Sequence, residues 1–301
     1  MPTRGSSAFT PIFLSRLAPI LARYVDLKRA LGRRFDLPSR TLQSLDRFLH
    51  DQSTRYPDLM VAAFQAWCQT HEHVTSGVRR VRMLEVRSFC LYRRRTGPQC
   101  FVPNASSFPT YRQRLKPYIF SEAEVASLLR AASCLERYPS SPLRPEVIRL
   151  AIALLFTTGM RRGELLGLTP GDYNRLEPTL HIRETKFYKS RLLPINDSIA
   201  DEMDQWLRAR PRRKLPVSLD TALISSGTPL GAEGAYSGTS LRHCLRPLPQ
   251  KCGIVTSKGK LARIHDFRHS FAVNALLGWY RAGADVEAKL PLLAAQVWKV
   301  S

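Results

Sequence analysis

The sequence lacks paired cysteine motifs, long apolar runs and a signal-type N-terminus. Its six cysteines include no Cys-x-x-Cys pair, so their spacing fits neither a zinc cage nor a small disulfide scaffold. The longest purely apolar run, residues 150–156, is far shorter than the roughly 20 residues that a membrane span needs. We therefore predict a soluble protein of the cytoplasm, without a metal site or a membrane partner.

Acidic residues are also scarce, and this shortage is the most informative part of the composition. The chain has 46 lysine and arginine residues against 24 aspartate and glutamate residues, a net charge of +22. Such an excess costs self-repulsion unless a polyanion offsets it. Nucleic acid is the first candidate partner, an anionic membrane surface is the second, and a basic scaffold protein remains open. Charge alone does not choose among them.

The first hundred residues are predicted to be helical. The first helix has an apolar stripe at helical spacing, formed by Leu17, Leu21, Tyr24, Leu27 and Leu31. Gly32 follows as the expected stop. Further helices are predicted around Leu42–Leu49, Val61–Trp67 and Val78–Tyr92.

The fourth predicted helix and the residues after it are rich in arginine. They contain Arg79, Arg80, Arg82, Arg87, Arg93, Arg94 and Arg95, with Glu85 as the one acid. A solvated charged helix has a similar composition, but the shortage of acidic partners favours a surface that faces phosphate groups. We therefore predict that these arginines bind DNA.

Proline, asparagine and serine residues then interrupt the helical pattern, and we predict a linker at 106–116 between domains at 1–105 and 117–301. In the second domain, Ser121 and Glu124 form a capping-box pattern. Helices are predicted near 121–133, 145–158, 198–208, 238–246 and 266–281, and strands at 180–183 and 191–195. The predicted fold class is mainly α with a small antiparallel β-sheet (α+β).

Three segments of the second domain carry residues suited to phosphate chemistry. The first, TGMRRGELLGL at 158–168, places Arg161 in the first turn of a helix, where free N–H groups attract anions. Gly159 can adopt the left-handed turn before it, and Glu164 lies three residues on, where it can orient Arg161. A surface ion pair at a helix start is the open alternative.

The second segment is HDFRH at 265–269. On a helix, His265 and Arg268 face the same way, while Phe267 faces the core. Arginine binds phosphate oxygens with two parallel hydrogen bonds, and histidine donates a proton or a hydrogen bond. His265 and His269 have a spacing that zinc ligands use, but no third ligand stands near, so we predict no metal.

The third segment, ETKFYKSR at 184–191, lies between the two predicted strands. Lys186 at the tip of such a hairpin can reach a neighbouring cleft as a general acid or a phosphate clamp. An ordinary solvated lysine is the open alternative.

Together, and in this order, the three segments resemble those of the tyrosine recombinase (phage integrase) family. The resemblance implies that Arg161 and Arg268 are catalytic arginines, that Glu164 supports the first, and that Lys186 and His265 are catalytic. Lys189 and Arg191 then occupy basic, DNA-binding positions. The helical first domain resembles the family's core-binding domain.

By this resemblance, the expected reaction is site-specific recombination, as in the integration or transposition of mobile elements. A tyrosine attacks a DNA phosphate, forms a 3′-phosphotyrosyl link and is later displaced, without a cofactor. The expected partners are double-stranded DNA at a recombination site and further protomers, forming a tetramer on DNA when complete. The expected location is the bacterial nucleoid.

The sequence departs from the family pattern near residue 299. Lys299 aligns with the family's second histidine, and no tyrosine follows it; Tyr280 is interpreted as a packing residue. We therefore expect the catalytic domain to be incomplete at its C-terminus and cleavage to be lost. The alternative is a cleavage-incompetent DNA-binding remnant or regulator that occupies recombination sites. A basic structural nucleic-acid protein does not account for the order of the segments.

Overall fold

The computed structural model describes residues 9–33, 35–110, 116–183, 190–212, 218–226, 234–256, 259 and 261–297. The chain divides into two compact units, residues 1–114 and 115–301. Both units are mainly helical, and the second contains a three-stranded antiparallel sheet. The predicted fold class is therefore confirmed. Within the described ranges, no helix is long and apolar enough to cross a membrane.

The first unit consists of helices around one apolar core. They are α1 (Ala18–Ala30), α2 (Asp36–Asp51), α3 (Val61–Gln69) and α4 (Ser76–Arg93), followed by a short 3-10 turn at Ala105–Ser107. The apolar stripe predicted for α1 is only half right, because Leu27 and Leu31 are 39% and 64% exposed. The helix ends at Ala30 and Gly32 follows with a φ of +77°, in agreement with the predicted stop, whereas Leu27 lies within the helix and faces solvent.

A buried carboxylate on α2 fixes the residues that precede α1. Asp46 is fully buried and accepts hydrogen bonds from the Leu14 N–H at 2.6 Å and from the Ser15 N–H at 3.1 Å. The Ser15 hydroxyl donates a third bond at 2.5 Å. A buried charge is tolerated where hydrogen bonds satisfy it, and these three bonds join α2 to the start of α1.

The second unit surrounds α6 (Arg144–Thr158), whose side chains are mostly buried. The other helices are α5 (Glu122–Ser133), α7 (Arg162–Gly167), α8 (Asp197–Arg212), α9 (Gly238–Leu245), α10 (Pro247–Lys251), α11 (Ile264–Arg281) and α12 (Val286–Val297). Helix α6 packs against α5, α8 and α11. The capping box predicted for α5 is confirmed, since Glu124 accepts from the Ser121 N–H at 2.8 Å and its own N–H donates back to the Ser121 hydroxyl.

The sheet of the second unit has the strand order β1 (Tyr173–Asn174), β2 (Thr179–Ile182) and β3 (Arg191–Pro194). Strands β2 and β3 pair antiparallel, with Leu180 opposite Leu193 and Ile182 opposite Arg191. The two predicted strands are thus right to within one residue. This register brings Arg191 to the end of the sheet from which residues 183–190 connect β2 to β3.

Aromatic packing fixes α11 within the second unit. The rings of Phe120 and Phe267 stack with centroids 4.5 Å apart. The Phe120 N–H donates to the Ser270 hydroxyl at 2.8 Å, and that hydroxyl donates to the Asp266 carbonyl at 2.9 Å. The first turn of α11 is therefore held rigidly where His265 and Arg268 are located.

Candidate functional site

The candidate site begins where α6 ends. Gly159 has a φ of +60°, in the left-handed region that favours glycine, as predicted from the sequence. A Cβ atom at this position would lie 2.4 Å from Cδ1 of Phe271, so both the backbone conformation and the close contact require glycine. Arg161 is the residue immediately before α7. The sequence predicted Arg161 in the first turn of α7, but it occupies the N-cap position, one residue before that turn.

Glu164 connects two arginines at the start of α7. Its carboxylate accepts from the Arg161 N–H at 2.8 Å and from Arg161 Nη1 at 2.9 Å. Arg191, on β3, donates Nη2 to Glu164 Oε2 at 2.8 Å and Nη1 to Oε1 at 3.3 Å. Burial favours the neutral carboxyl, but the bonds from Arg191 and Arg161 outweigh it and lower the pKa of Glu164. The carboxylate therefore stays ionised.

Arg268, on α11, is the most buried cation of the site, with 4% of its surface exposed. Its Nη1 donates to the Gly159 carbonyl, which holds the guanidinium at the α6–α7 junction. The pKa of Arg268 is lowered to about 10, first because burial disfavours its charge and then because Arg161 repels it. Arg191 adds to the repulsion, and Glu164 opposes it. The side chain is still a cation at neutral pH, although it is almost fully buried.

His265 lies in the first turn of α11 and is largely exposed. Its ring meets that of His269 edge to face, with centroids 4.9 Å apart. Partial burial of the ring lowers the pKa of His265, and repulsion from His269, Arg268 and Arg263 lowers it further. The imidazole is therefore mostly neutral at pH 7. Among the residues that the structure describes, no group of three or more His, Cys, Asp and Glu side chains could hold a metal ion.

Asp266 is a residue of this site that the sequence interpretation missed. It is 1% exposed, and its carboxylate accepts from the Arg263 N–H and from Arg263 Nη2, both at 2.7 Å. These bonds cap α11 just before His265. The signal was available, because an aspartate in the first turn of a helix commonly caps it.

Other predicted site residues are placed differently or lie elsewhere. Lys186, Lys189 and Lys299 lie outside the described residues. Arg191 is described, and it contacts Glu164. Tyr280 is not a packing residue as predicted, since it is 78% exposed near the end of α11.

The arginines of the first unit are divided between internal and exposed positions. Three of them, spaced seven residues apart on one side of α4 and just beyond its end, donate to backbone carbonyls of the segment that follows the helix. Arg80 donates to Pro109 at 3.2 Å and to Phe108 at 3.4 Å, Arg87 to Pro103 at 3.1 Å, and Arg94 to Cys100 at 3.4 Å. They hold that segment antiparallel to α4.

The remaining four arginines of this group also differ in exposure. Arg93 forms a two-bond ion pair with Asp58 at 2.7 and 2.6 Å and is 15% exposed. Arg79 and Arg82 are half-buried, and Arg95 is exposed. The guanidinium surface that faces solvent is therefore narrower than the arginine content suggests.

Comparison with known proteins identifies relatives over almost the whole chain. A sequence profile described as the phage integrase family matches residues 120–288. The putative integrase/recombinase y4rE of Sinorhizobium fredii is 31% identical over 284 residues, which cover 94% of this chain and 87% of that protein. A second protein of that organism, the putative integrase/recombinase y4rB, is 29% identical over 285 residues, covering 93% and 88%.

Among solved structures, a lambda integrase dimer bound to a COC′ core site has a similar fold. The TM-score is 0.62 at 15% sequence identity, and the alignment covers 95% of each chain. At this identity the likeness concerns the fold alone.

Proposed function

Because the chain belongs to the phage integrase family of tyrosine recombinases, we propose that its second unit binds duplex DNA and holds one backbone phosphate between Arg161 and Arg268. The site serves site-specific cleavage and rejoining of DNA strands through a 3′-phosphotyrosyl intermediate. The observation that carries this proposal is that Arg161 and Arg191 share the Glu164 carboxylate, while Arg268 is held at the Gly159 carbonyl, two residues before Arg161.

The electrostatics of this group favour an anionic ligand. Three guanidinium groups and one carboxylate belong to this site, and Arg268 carries its charge with only 4% of its surface exposed. A phosphate between the arginines would offset their repulsion, and the attraction is stronger at a buried group than in water. Further negative charge develops on the phosphate oxygens in the transition state, where the same arginines stabilise it most.

We assign the other catalytic roles from the resemblance of the sequence segments to those of the family. Neutral His265 donates one N–H to a phosphate oxygen. Lys186 protonates the departing 5′-oxygen, and Lys299 contributes a charge where the family has its second histidine. Lys189 and the exposed arginines just after α4, Arg94 and Arg95, bind the DNA backbone. Four protomers are expected on a pair of DNA sites, because two duplexes present four strands for cleavage.

Within the 301 residues no tyrosine follows Tyr280. Tyr280 lies twelve positions beyond Arg268 on α11, about 18 Å along the helix axis at 1.5 Å per residue, so its hydroxyl does not reach a phosphate held by Arg268. We propose that a polypeptide of these 301 residues occupies DNA without forming a covalent link. Cleavage then needs a tyrosine from additional residues or from another chain.

Binding is tested by measuring the affinity for duplex DNA at several salt concentrations. If 6–10 phosphates are contacted, the affinity should fall by about 10³–10⁵ between 50 and 200 mM salt, because each contact releases counterions. A nearly flat plot of log K against log salt would contradict DNA as the main partner.

The chemistry is tested with a duplex selected for tight binding from a random pool and nicked beside the site of contact. The 301-residue protein should give no protease-sensitive shifted band in denaturing electrophoresis. A version extended by a tail that carries a tyrosine should give the band. In that version, Arg161→Ala and Arg268→Ala should abolish it while leaving binding within about tenfold, since a group that acts chiefly in the transition state affects the reaction rate more than ground-state binding.

The matched control is Arg208→Ala, which removes the same charge from the surface of α8, where the side chain is 62% exposed. It should change neither binding nor cleavage. A shifted band from the unextended protein would refute the proposed need for another tyrosine. Cleavage by either arginine variant at nearly the parental rate would refute the assignment of the phosphate site.

A further inference from the structure

Arg191 contacts the candidate site through another residue. Both of its Nη atoms donate to the Glu164 carboxylate, which also binds the backbone and side chain of Arg161. We propose that Arg191 is a positioning residue: by sharing Glu164 with Arg161, it keeps the Arg161 guanidinium oriented toward a bound phosphate. This inference rests on the proposed function, and it assigns to Arg191 a role that does not require contact with DNA.

The exposure of the three side chains supports this division of roles. Glu164 is 6% exposed and Arg191 22%, whereas Arg161 is 37% exposed. Arg161 donates one guanidinium nitrogen to Glu164, and a guanidinium has five N–H donors in a fixed planar arrangement. Arg161 is therefore the member of the group that can both be held by the carboxylate and present further donors to an anion.

Charge sharing gives the second reason. If Glu164 were paired with Arg161 alone, the two side chains would form a neutral pair. The negative charge of the carboxylate would then offset the attraction of Arg161 for a phosphate. Arg191 supplies a second counter-charge to the same carboxylate, so the group retains a positive excess. Because Arg191 binds both carboxylate oxygens, it also restricts the rotation of Glu164 and, through it, the orientation of Arg161.

The position of Arg191 in the sheet means that its ion pair with Glu164 also connects the sheet to α7. Arg191 is the first residue of β3 and lies opposite Ile182, the last residue of β2. Its ion pair with Glu164 joins this end of the sheet to the start of α7. A change at Arg191 therefore acts on the phosphate site without removing any group that contacts the phosphate.

The experiment uses the 301-residue protein with ¹⁵N-labelled arginine, inorganic phosphate as the probe, and the Nε–H signals of Arg161, Arg191 and Arg268. In the parent, phosphate should shift the Arg161 and Arg268 signals and leave that of Arg191 nearly unchanged. Arg191→Gln and Arg191→Lys should each weaken phosphate binding about tenfold or more, and each should move the Arg161 signal before phosphate is added. Lysine keeps the charge but lacks the planar pair of donors that holds both oxygens.

Arg208→Gln is the matched control, because it removes one positive charge outside the site and should leave the phosphate affinity within about twofold of the parent. Thermal unfolding of each variant detects a purely structural role, which would lower Tm without changing the affinity. If Arg191→Gln does not fold, Arg191→Lys still tests the proposal, since it leaves a cation beside the buried carboxylate.

Three results would overturn the inference while leaving the proposed function intact. These are unchanged phosphate binding in both Arg191 variants, full recovery of binding by lysine, and a phosphate-induced shift of Arg191 as large as that of Arg161. The last would make Arg191 a direct ligand. If phosphate shifts neither Arg161 nor Arg268 in the parent, the proposed phosphate site fails and this inference fails with it.

Discussion

Replacing Gly159 with alanine tests the geometry on which the whole site depends. The residue joins α6 to α7 with a φ of +60°, and its carbonyl accepts the hydrogen bond that holds Arg268. Alanine would therefore introduce strain at the point where the two helices and Arg268 meet. We expect Gly159→Ala to destabilise the second unit and to displace Arg268.

The expected magnitude has two parts. An alanine in the left-handed region costs about 1–2 kcal/mol. Its Cβ would also lie 2.4 Å from Phe271 Cδ1 and 2.8 Å from Cγ, and relieving such overpacking costs about 1–3 kcal/mol. Together these terms give a loss of about 2–5 kcal/mol. The double variant Gly159→Ala/Phe271→Ala removes the close contact, so it should be more stable than the sum of the single effects by about 1–3 kcal/mol.

Urea unfolding followed by fluorescence measures this loss. Replacing Trp67, the tryptophan of the first unit, with phenylalanine leaves the signal to the second unit, where Trp206 is buried. Gly163→Ala is the matched control: no atom would lie within 4 Å of its Cβ, and alanine in a helix should be neutral or stabilising by up to about 1 kcal/mol. A loss below about 0.5 kcal/mol for Gly159→Ala would refute the reasoning.

Three further outcomes are expected. Arg87→Ala should lower the Tm of the first unit with little effect on DNA affinity, because Arg87 donates to the Pro103 carbonyl. Arg95 is exposed, so Arg95→Ala should weaken DNA binding without changing Tm. The reverse pattern would contradict the division of the arginines into internal and exposed ones. Asp46→Ala should destabilise the first unit by about 1–3 kcal/mol in urea unfolding, because it leaves three partly buried donors without their acceptor. The His265 ring should titrate by NMR below its usual pKa of 6.5, and Arg268→Gln should raise the midpoint. Because His265 binds fewer protons in the folded protein than in the unfolded chain, its contribution to the free energy of unfolding falls as the pH drops below about 6.5. An NMR titration midpoint at or above 6.5 would contradict the lowered pKa.

The parts of this fold that the sequence predicts are those with local causes. Helical periodicity and the Ser121–Glu124 capping pattern located α5, and the left-handed Gly159 followed from a glycine at the end of an apolar run. The strand-like segments at 180–183 and 191–195 match β2 and β3 to within one residue. In each case the interacting residues are close in sequence, so spacing and propensity contain the information.

The contacts that assemble the site are not local, and the sequence did not predict them. Arg191 reaches Glu164 across 27 residues, and Arg268 reaches the Gly159 carbonyl across 109. The same reason limits what arginine content reveals: Arg80 and Arg87 bind carbonyls of a segment that turns back along α4. Counting charges does not show whether a guanidinium faces solvent or the backbone. Tyr280 shows the same limit for aromatic residues: it was predicted to be a packing residue, yet its side chain is exposed.

The burial of Arg268 has an electrostatic cost and a benefit for phosphate binding. Arg268 would be better solvated at the surface, and its lowered pKa records the cost of burial and of repulsion from Arg161. The hydrogen bond to the Gly159 carbonyl and the negative charge of Glu164 act against that cost. Before any ligand binds, the second unit therefore holds guanidinium groups close together and partly desolvated. A phosphate that enters meets donors that need little further reorganisation, which is the condition under which fixed charges stabilise a transition state most effectively.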